Sequence, residues 1–440
     1  MNYYSLNNRQ NKSTFSQAVI KGIASDKGLY FPEKINALPK EFFDKIEYFS
    51  NEEIAYQTIK QFVGNEIPEQ VLKVIIKETL SFDFPLVKLT DNNYILELFH
   101  GPTLAFKDVG ARFMSRCLGY FTKENSKKTT VLVATSGDTG SAVANGFYKT
   151  KNVAVVILYP KGKVSHIQEL QLTTLGENIT ALAVDGTFDD CQAMVKSAFI
   201  DDELNTLQLT SANSINIARW LPQMWYFFFA YKQLKQKDKD IVISVPSGNF
   251  GNICAGLLAQ KLGLPIKHFI ASNNANDVVT TYLKNGAYNP KPAQQTISNA
   301  MDVGDPSNFI RIKELFDNNI DNLKNSLSAF SFTDDETSKE IQHIKKEYKY
   351  IVDPHGAVGQ LGLNNYLKNN PNTIGISLET AHPIKFLNVV EPLIKETIKI
   401  PERIAAILDK TIINKKISTY NELKQYLLAS EKIVSLNHAN

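Results

Sequence analysis

One lysine in the run ELFHGPTLAFKDVGARF, residues 97–113, is placed where an amine could do chemistry. Lys107 follows the strand-like NYILELF by a Gly-Pro turn and directly precedes a helix-like run, with Leu104, Ala105 and Phe106 on one side. A lysine desolvated by apolar neighbours has a depressed pKa, and its neutral amine can attack an aldehyde to form a Schiff base. A solvated lysine at a helix N-terminus is the plainer reading of this stretch taken alone.

Two further loops bear on that choice. In VISVPSGNFGN a strand ends at Pro246, Gly248 and Gly251 flank Asn249 and Phe250, and a helix is expected from Asn252. Glycines at a strand-to-helix turn let several backbone N–H groups face one anion, and the positive end of the helix adds to the attraction. The loop lacks both the G-x-G-x-x-G spacing of dinucleotide sites and the Lys-Ser/Thr pair of a P-loop, and a plain βα turn also accounts for it. The loop VLVATSGDTGSAVANG offers Thr135, Ser136, Asp138, Thr139 and Ser141 around two glycines, more polar groups than one helix N-cap needs. TSANSINIARW adds Asn213, Ser214, Asn216 and Arg219, where the arginine suits a phosphate or carboxylate clamp or a structural ion pair. TIGISLETAHPIKF ends a strand in Glu379, Thr380 and His382, and ligands of parallel α/β sheets bind beyond such carboxyl ends. A Schiff-base lysine together with two phosphate-suited loops is what pyridoxal phosphate (PLP) acting on a phosphorylated substrate demands.

The elements that must position these groups follow from periodicity. Apolar β-branched runs at TTVLVATSG, VAVVILYPKG, ITALAVDG, IVISVPSG, KHFIASN and TIGISLET read as buried parallel strands. Segments of helical pattern at 111–124, 139–149, 188–200, 215–235 and 252–263 alternate with them, which argues for an α/β architecture. The expected organisation is a separate N-terminal mixed and helical domain at 1–92, a large α/β domain from 93–110 and 226–440, and a smaller α/β domain at 111–225 inserted in it. With 48 basic and 45 acidic residues among 440, nothing in the charge points to nucleic acid, and WYFFFAY is too short to span a bilayer. The three cysteines, Cys117, Cys191 and Cys254, lack metal or redox spacing, so no metal is expected, and with no signal-peptide pattern the expected place is the cytoplasm.

The motifs HGPTLAFKDVGARF, ATSGDTGSA, NSINIAR, PSGNFGN and TAHPIKF resemble the PLP enzymes of the tryptophan-synthase β-subunit fold (fold type II), and within them the threonine synthases. FSQAVIKGIASDKGLYFPE is similar to the opening of the longer members, so the likeness spans nearly the whole chain. The resemblance implies two open, mainly parallel sheets flanked by helices, with PLP joined to Lys107 beside Phe106 and its phosphate held by Gly248, Asn249, Phe250, Gly251 and Asn252. It further implies that Asp138 meets the pyridine 3′-oxygen, where many relatives carry Asn, and that Thr380 faces the pyridine nitrogen. The implied substrate is O-phospho-L-homoserine, converted with water to L-threonine and phosphate, with Thr135, Ser136, Thr139, Asn213, Ser214 and Arg219 as its contacts. Rival readings are a serine or threonine dehydratase, which has no substrate phosphate to hold, a phospho-lyase that stops before water addition, and a non-catalytic amino-acid-binding protein. Either a monomer or a homodimer fits the sequence. His355 and His382 lie in loops near the expected site, without an assigned role.

Overall fold

A computed structural model describes residues 1–124, 127–234 and 239–437, with side chains described as far as residue 430; His438 lies outside the described residues. The chain folds around two parallel sheets and a small antiparallel one. The six-stranded sheet runs in the order Leu327–Ser331, His268–Asn273, Ile241–Pro246, Ile374–Glu379, Asn93–Glu97 and Leu86–Lys88. Its neighbours pair in parallel except for the edge strand Leu86–Lys88, which is antiparallel to Asn93–Glu97. Every residue of Ile241–Pro246, His268–Asn273 and Ile374–Glu379 is buried, as expected when helices cover both faces of a parallel sheet.

The five-stranded sheet is wholly parallel, in the order Lys415–Ile417, Ile179–Val184, Val153–Pro160, Thr129–Ala134 and Gln208–Ser211. Its edge departs from the expectation that all of 226–440 belongs with the larger sheet. Lys415–Ile417 crosses back to pair with Ile179–Val184, and Leu423 and Leu427 of the following helix are buried with Cys191, Met194 and Val195. This short strand carries too little apolar pattern to announce its partner, and a long-range edge had to be available to receive it.

Near the N-terminus, Asn2–Ser5 pairs antiparallel with both Lys12–Thr14 and Tyr30–Pro32. Helices Phe15–Lys21, Asn51–Val63 and Glu69–Thr79 follow, the first opened by a capping box of Thr14 and Gln17. The single helix expected at 215–235 is three pieces: Ile217–Trp220, a 3-10 turn Leu221–Met224, and Trp225–Leu234. Pro222 lacks the N–H that an uninterrupted α-helix needs there, and the backbone tightens instead of breaking. The run Trp225–Phe229 is buried in the core, and among the described residues no helix is long and apolar enough to cross a membrane.

Candidate active site

The turn before Lys107 is built to hold its shape. Asp108 receives both the Thr103 N–H (2.8 Å) and the Thr103 hydroxyl (2.6 Å), and a Cβ on Gly101 would lie 2.4 Å from Asp108 Oδ2. Burial raises the Asp108 pKa against the lowering effect of those Thr103 bonds. Leu104 adopts φ +57, a left-handed conformation unfavourable for a branched side chain, and is held there by burial and by the His382 N–H on its carbonyl (3.0 Å). Phe106 N–H donates to Thr380 O (2.9 Å), and Ala105 forms an isolated antiparallel bridge with Ala381. The strand end that carries Thr380 is thereby clasped to the turn that carries Lys107.

Lys107 is the first residue of the helix Lys107–Thr122. It keeps some accessible area because it opens onto a cavity, yet the surrounding protein desolvates its amine. Burial lowers its pKa to about 8, Asp138 raises it, and Lys385 and Arg219 lower it further. The positive end of its own helix acts in the same direction as burial. Among the described residues the amine has no ion pair or hydrogen bond; the Phe106 ring centroid is 5.8 Å away.

The cavity is about 390 Å³ and gathers residues from both parallel sheets. Phe106, Lys107, Ser136, Asp138, Thr139, Asn213, Ser214, Arg219, Gly248, Asn249, Phe250, Gly251, Asn252 and Thr380 all line it. Thr135 does not belong to the lining: its hydroxyl oxygen accepts from the Gly137 N–H (2.9 Å) and the Gly140 N–H (2.8 Å) and shapes the loop from behind. Thr135, expected to contact the substrate, is thus engaged by its own loop and lies outside the cavity lining.

On the opposite wall, Phe250 has φ +58, and no side chain caps the helix Gly251–Lys261. None of the N–H groups of residues 248–252 is used in a hydrogen bond among the described residues. A Cβ on Gly248 would come within 2.5 Å of Met301 Cα, and one on Gly251 within 3.2 Å of Asn308 Nδ2. The loop is therefore an uncapped cradle that side chains would fill. Its neighbours are organised toward the same space. Ser214 Oγ accepts from Asn249 Nδ2 (2.9 Å) and Asn308 Nδ2 (3.1 Å), so its own proton is left to donate elsewhere. Arg219 is buried, donates from Nη1 to Ala212 O, and leaves Nε without a partner; burial lowers its pKa to about 10, with Asp108 opposing, and it stays protonated at neutral pH. Asn252 Nδ2 is likewise buried and unpartnered. These orphaned donors and the uncapped N–H groups suit phosphate oxygens, and the unpaired Lys107 amine suits an aldehyde, so the residues present fit PLP with a phosphorylated substrate.

Several groups were not legible as members of the site. Asp138 is held by Lys385, whose Nζ lies 2.7 Å from Oδ1 with both side chains buried, and by Gln168 Nε2 at 2.9 Å. Burial would raise the Asp138 pKa, but Lys385 and then Lys107 outweigh it and hold the carboxyl well below the usual range. Lys385 stands in TAHPIKF, where nothing local says that a lysine after Pro-Ile will be buried. Arg311 is fully buried and donates all five of its N–H groups, to Tyr30 O, Ser214 O, Ile215 O and Asn308 Oδ1. Its signal was an arginine among Phe309, Ile312 and Leu315 on a buried helix face.

The two loop histidines separate. His355 lines the cavity; its Nε2 accepts from the Ala300 N–H (3.1 Å), so Nδ1 carries the proton and donates to Asp353 Oδ1 (2.9 Å). His382 accepts the Ile384 N–H at Nδ1 (3.0 Å) and starts the turn Pro383–Phe386. Burial lowers its pKa to about 4, so it is a neutral capping group.

With this geometry in place, comparison with known proteins gives a consistent result. The family described as "Pyridoxal-phosphate dependent enzyme" matches residues 84–374, and similar solved structures such as a tomato threonine deaminase (TM-score 0.54, 18% identity) share the fold. The chain is a PLP-dependent enzyme of fold type II. The families "Threonine synthase N terminus" and "Threonine synthase, C-terminal" match residues 2–80 and 356–426. Threonine synthase of Escherichia coli is 44% identical over 94% of this chain and 96% of its own length, and that of Buchnera aphidicola subsp. Baizongia pistaciae is 44% identical over 97% and 100%. The crystal structure of the E. coli enzyme superposes with a TM-score of 0.91 over 98% of this chain and 100% of that one, at 41% identity. PLP-bound threonine synthase from Brucella melitensis gives 0.90 over 97% and 98%, at 33%. The chain belongs to the threonine synthase family and has that family's activity.

Proposed function

We propose that the chain converts O-phospho-L-homoserine and water to L-threonine and phosphate, with Lys107 as the residue that joins PLP and afterwards moves the substrate's Cα proton. The observation that carries this reading is that an unpaired, desolvated amine lines one cavity with Arg219 and Asn252, each of which keeps a donor without a partner. With PLP bound, residues 248–252 would offer their N–H groups to its phosphate, and Phe106, Asp138 and Thr380 would hold its ring. PLP bound there would supply an aldehyde for the substrate amine and a ring that accepts the electron pair left at Cα.

Asn213, Ser214 and Arg219 hold the substrate phosphate, and Ser136 and Thr139 its carboxylate. Ser214 donates the proton left free by its two amide partners, and Arg219 supplies a charge that needs no titration at neutral pH. Lys107 serves as base because its amine is uncharged over part of the working pH range, and the enclosing walls keep bulk water from the Cα proton. A dehydratase would have no use for the Asn213, Ser214 and Arg219 cluster. The three free, buried cysteines suit a reducing cytoplasm as the place of work.

The test is product analysis on the PLP-loaded chain given O-phospho-L-homoserine, with Lys107→Ala as control. Equal amounts of phosphate and threonine, both dependent on Lys107, are expected. Phosphate accompanied by 2-oxobutyrate would make the chain a phospho-lyase, and release independent of Lys107 would overturn the assignment of that residue.

A further inference from the structure

A carboxylate beside a desolvated amine ordinarily captures it as an ammonium ion, and a captured lysine is poor both as nucleophile and as base. Asp138 and Lys107 line the same cavity and influence each other's charge, so the structure poses that problem directly. The amine nevertheless has no ion pair among the described residues.

The reason lies behind the cavity wall. Lys385 reaches Asp138 Oδ1 at 2.7 Å, and Gln168 Nε2 reaches the same oxygen at 2.9 Å, so neither occupies Oδ2 of this cavity-lining residue. Lys385 is itself fixed by donating to Thr103 O at 2.9 Å, the carbonyl of the turn that precedes Lys107. Gln168 is set in place by the capping box it forms with Ser165, and Gly137 at φ +137 admits its carboxamide, since a Cβ there would collide with it at 2.4 Å. The charged groups around Lys107 are thus Asp138 on the helix Asp138–Phe147, Lys385 on the turn Pro383–Phe386 and Arg219 on Ile217–Trp220. Asp108, in the helix of Lys107 itself, is engaged by Thr103 and acts on Arg219.

We propose that Lys385 is a positioning residue that occupies Asp138 from behind, so that the carboxylate stays ionised toward the cavity without capturing Lys107. The inference rests on the reading of Lys107 as the cofactor-joining residue. Two buried cations share one carboxylate, and the geometry gives it to the one that does no chemistry. In this arrangement Asp138 keeps an oxygen free for a ligand group while Lys107 remains an unpaired amine.

The experiment uses the full-length chain freed of cofactor, with circular dichroism to verify the fold. The rate at which Lys107 is acylated by an amine-reactive reagent is followed against pH by peptide mass spectrometry. In Lys385→Met and Lys385→Gln the midpoint of Lys107 reactivity rises by about one pH unit or more, because Asp138 turns to the remaining cation. Lys385→Arg, which keeps the charge, holds the midpoint within a few tenths of a unit. In an Asp138→Asn background, Lys385→Met moves the midpoint by less than half as much. A folded neutral variant whose midpoint is unchanged or lower, or an equal shift in both backgrounds, overturns the proposal. If neither neutral variant folds, Lys385→Arg decides: a midpoint held within a few tenths of a unit supports the proposal, and one moved by about a unit or more with the charge kept overturns it. Borohydride trapping of bound PLP separates the two readings, since an adduct at another lysine refutes the role of Lys107 and an adduct at Lys107 leaves only the role of Lys385 in question.

Discussion

Arg311→Lys isolates the worth of a buried guanidinium that touches no carboxylate. Arg311 spans Tyr30 O (3.3 Å from Nε and 3.0 Å from Nη2), Ile215 O (2.6 Å), Ser214 O (3.2 Å) and Asn308 Oδ1 (2.9 Å), with its carbon 4.6 Å from the Trp220 ring centroid. A lysine ammonium has three donors at one point and cannot bridge the N-terminal strand Tyr30–Pro32, the segment 214–215 and Asn308 together. At least two acceptors then lose their donor in the interior. At about 1.5–3 kcal/mol for each hydrogen bond to a charged group, the loss is about 3–6 kcal/mol, with the lost ring contact inside that range. Urea denaturation followed by circular dichroism measures it. Tryptophan fluorescence is a local reporter, because the chain has two tryptophans and Trp220 is the one stacked on Arg311. Since Ser214 and Asn308 shift with the arginine, KM for the phosphorylated substrate should rise more than kcat falls. A destabilisation under about 1 kcal/mol, or an unchanged KM, would refute the view that Arg311 joins the N-terminal sheet to the anion-binding wall.

Gly248→Ala places a Cβ 2.5 Å from Met301 Cα, a backbone atom that cannot swing aside, so PLP affinity should fall by about 1–3 kcal/mol, roughly 5- to 150-fold, in a fluorescence titration. Capture of PLP by the cofactor-free chain should accelerate about tenfold per pH unit up to about 8 and then level off, because burial sets the Lys107 amine there; a rate that keeps climbing to pH 10 would place the lysine in solvent. Glu379 is buried beside Asp353, whose N–H it accepts at 2.7 Å, and burial followed by Asp353 raises its pKa well above the usual range. The folded chain therefore keeps a proton that the unfolded chain releases, and this contribution is complete below the unfolded pKa and declines as pH rises toward the folded one. Glu379→Gln removes the decline, so its stability relative to the parent should improve by about 1.4 kcal/mol per pH unit above about 5, and a gap independent of pH would show Glu379 to be ionised. Gly356→Ala would set a Cβ 1.5 Å from Glu379 Oε2 in that closed corner and should cost about 3 kcal/mol or more of stability by thermal or chemical denaturation.

The residues that line the cavity were legible where local conformation or local polarity marks them. Gly248 and Gly251 mark a turn where a Cβ does not fit, and Lys107 breaks an apolar run at a helix start. The buried strands announced themselves by β-branched runs, since burial on both faces removes the polar alternation that would blur them. Less was legible where a residue's meaning depends on what approaches it from far along the chain. Thr135 looks like a ligand in sequence, and its hydroxyl oxygen accepts two N–H groups of its own loop. The burial of Lys385 and Arg311 is set by partners far along the chain, Asp138 247 positions from the first and Tyr30 281 from the second. The strand Lys415–Ile417 found its partner in Ile179–Val184 only because the folded sheet offered an edge. By itself the sequence determined which residue types stand at strand ends and turns, through steric rules that act within a few residues. Tertiary structure alone decided which buried charges meet, because desolvation makes an ionised side chain tolerable inside only where a distant partner completes it.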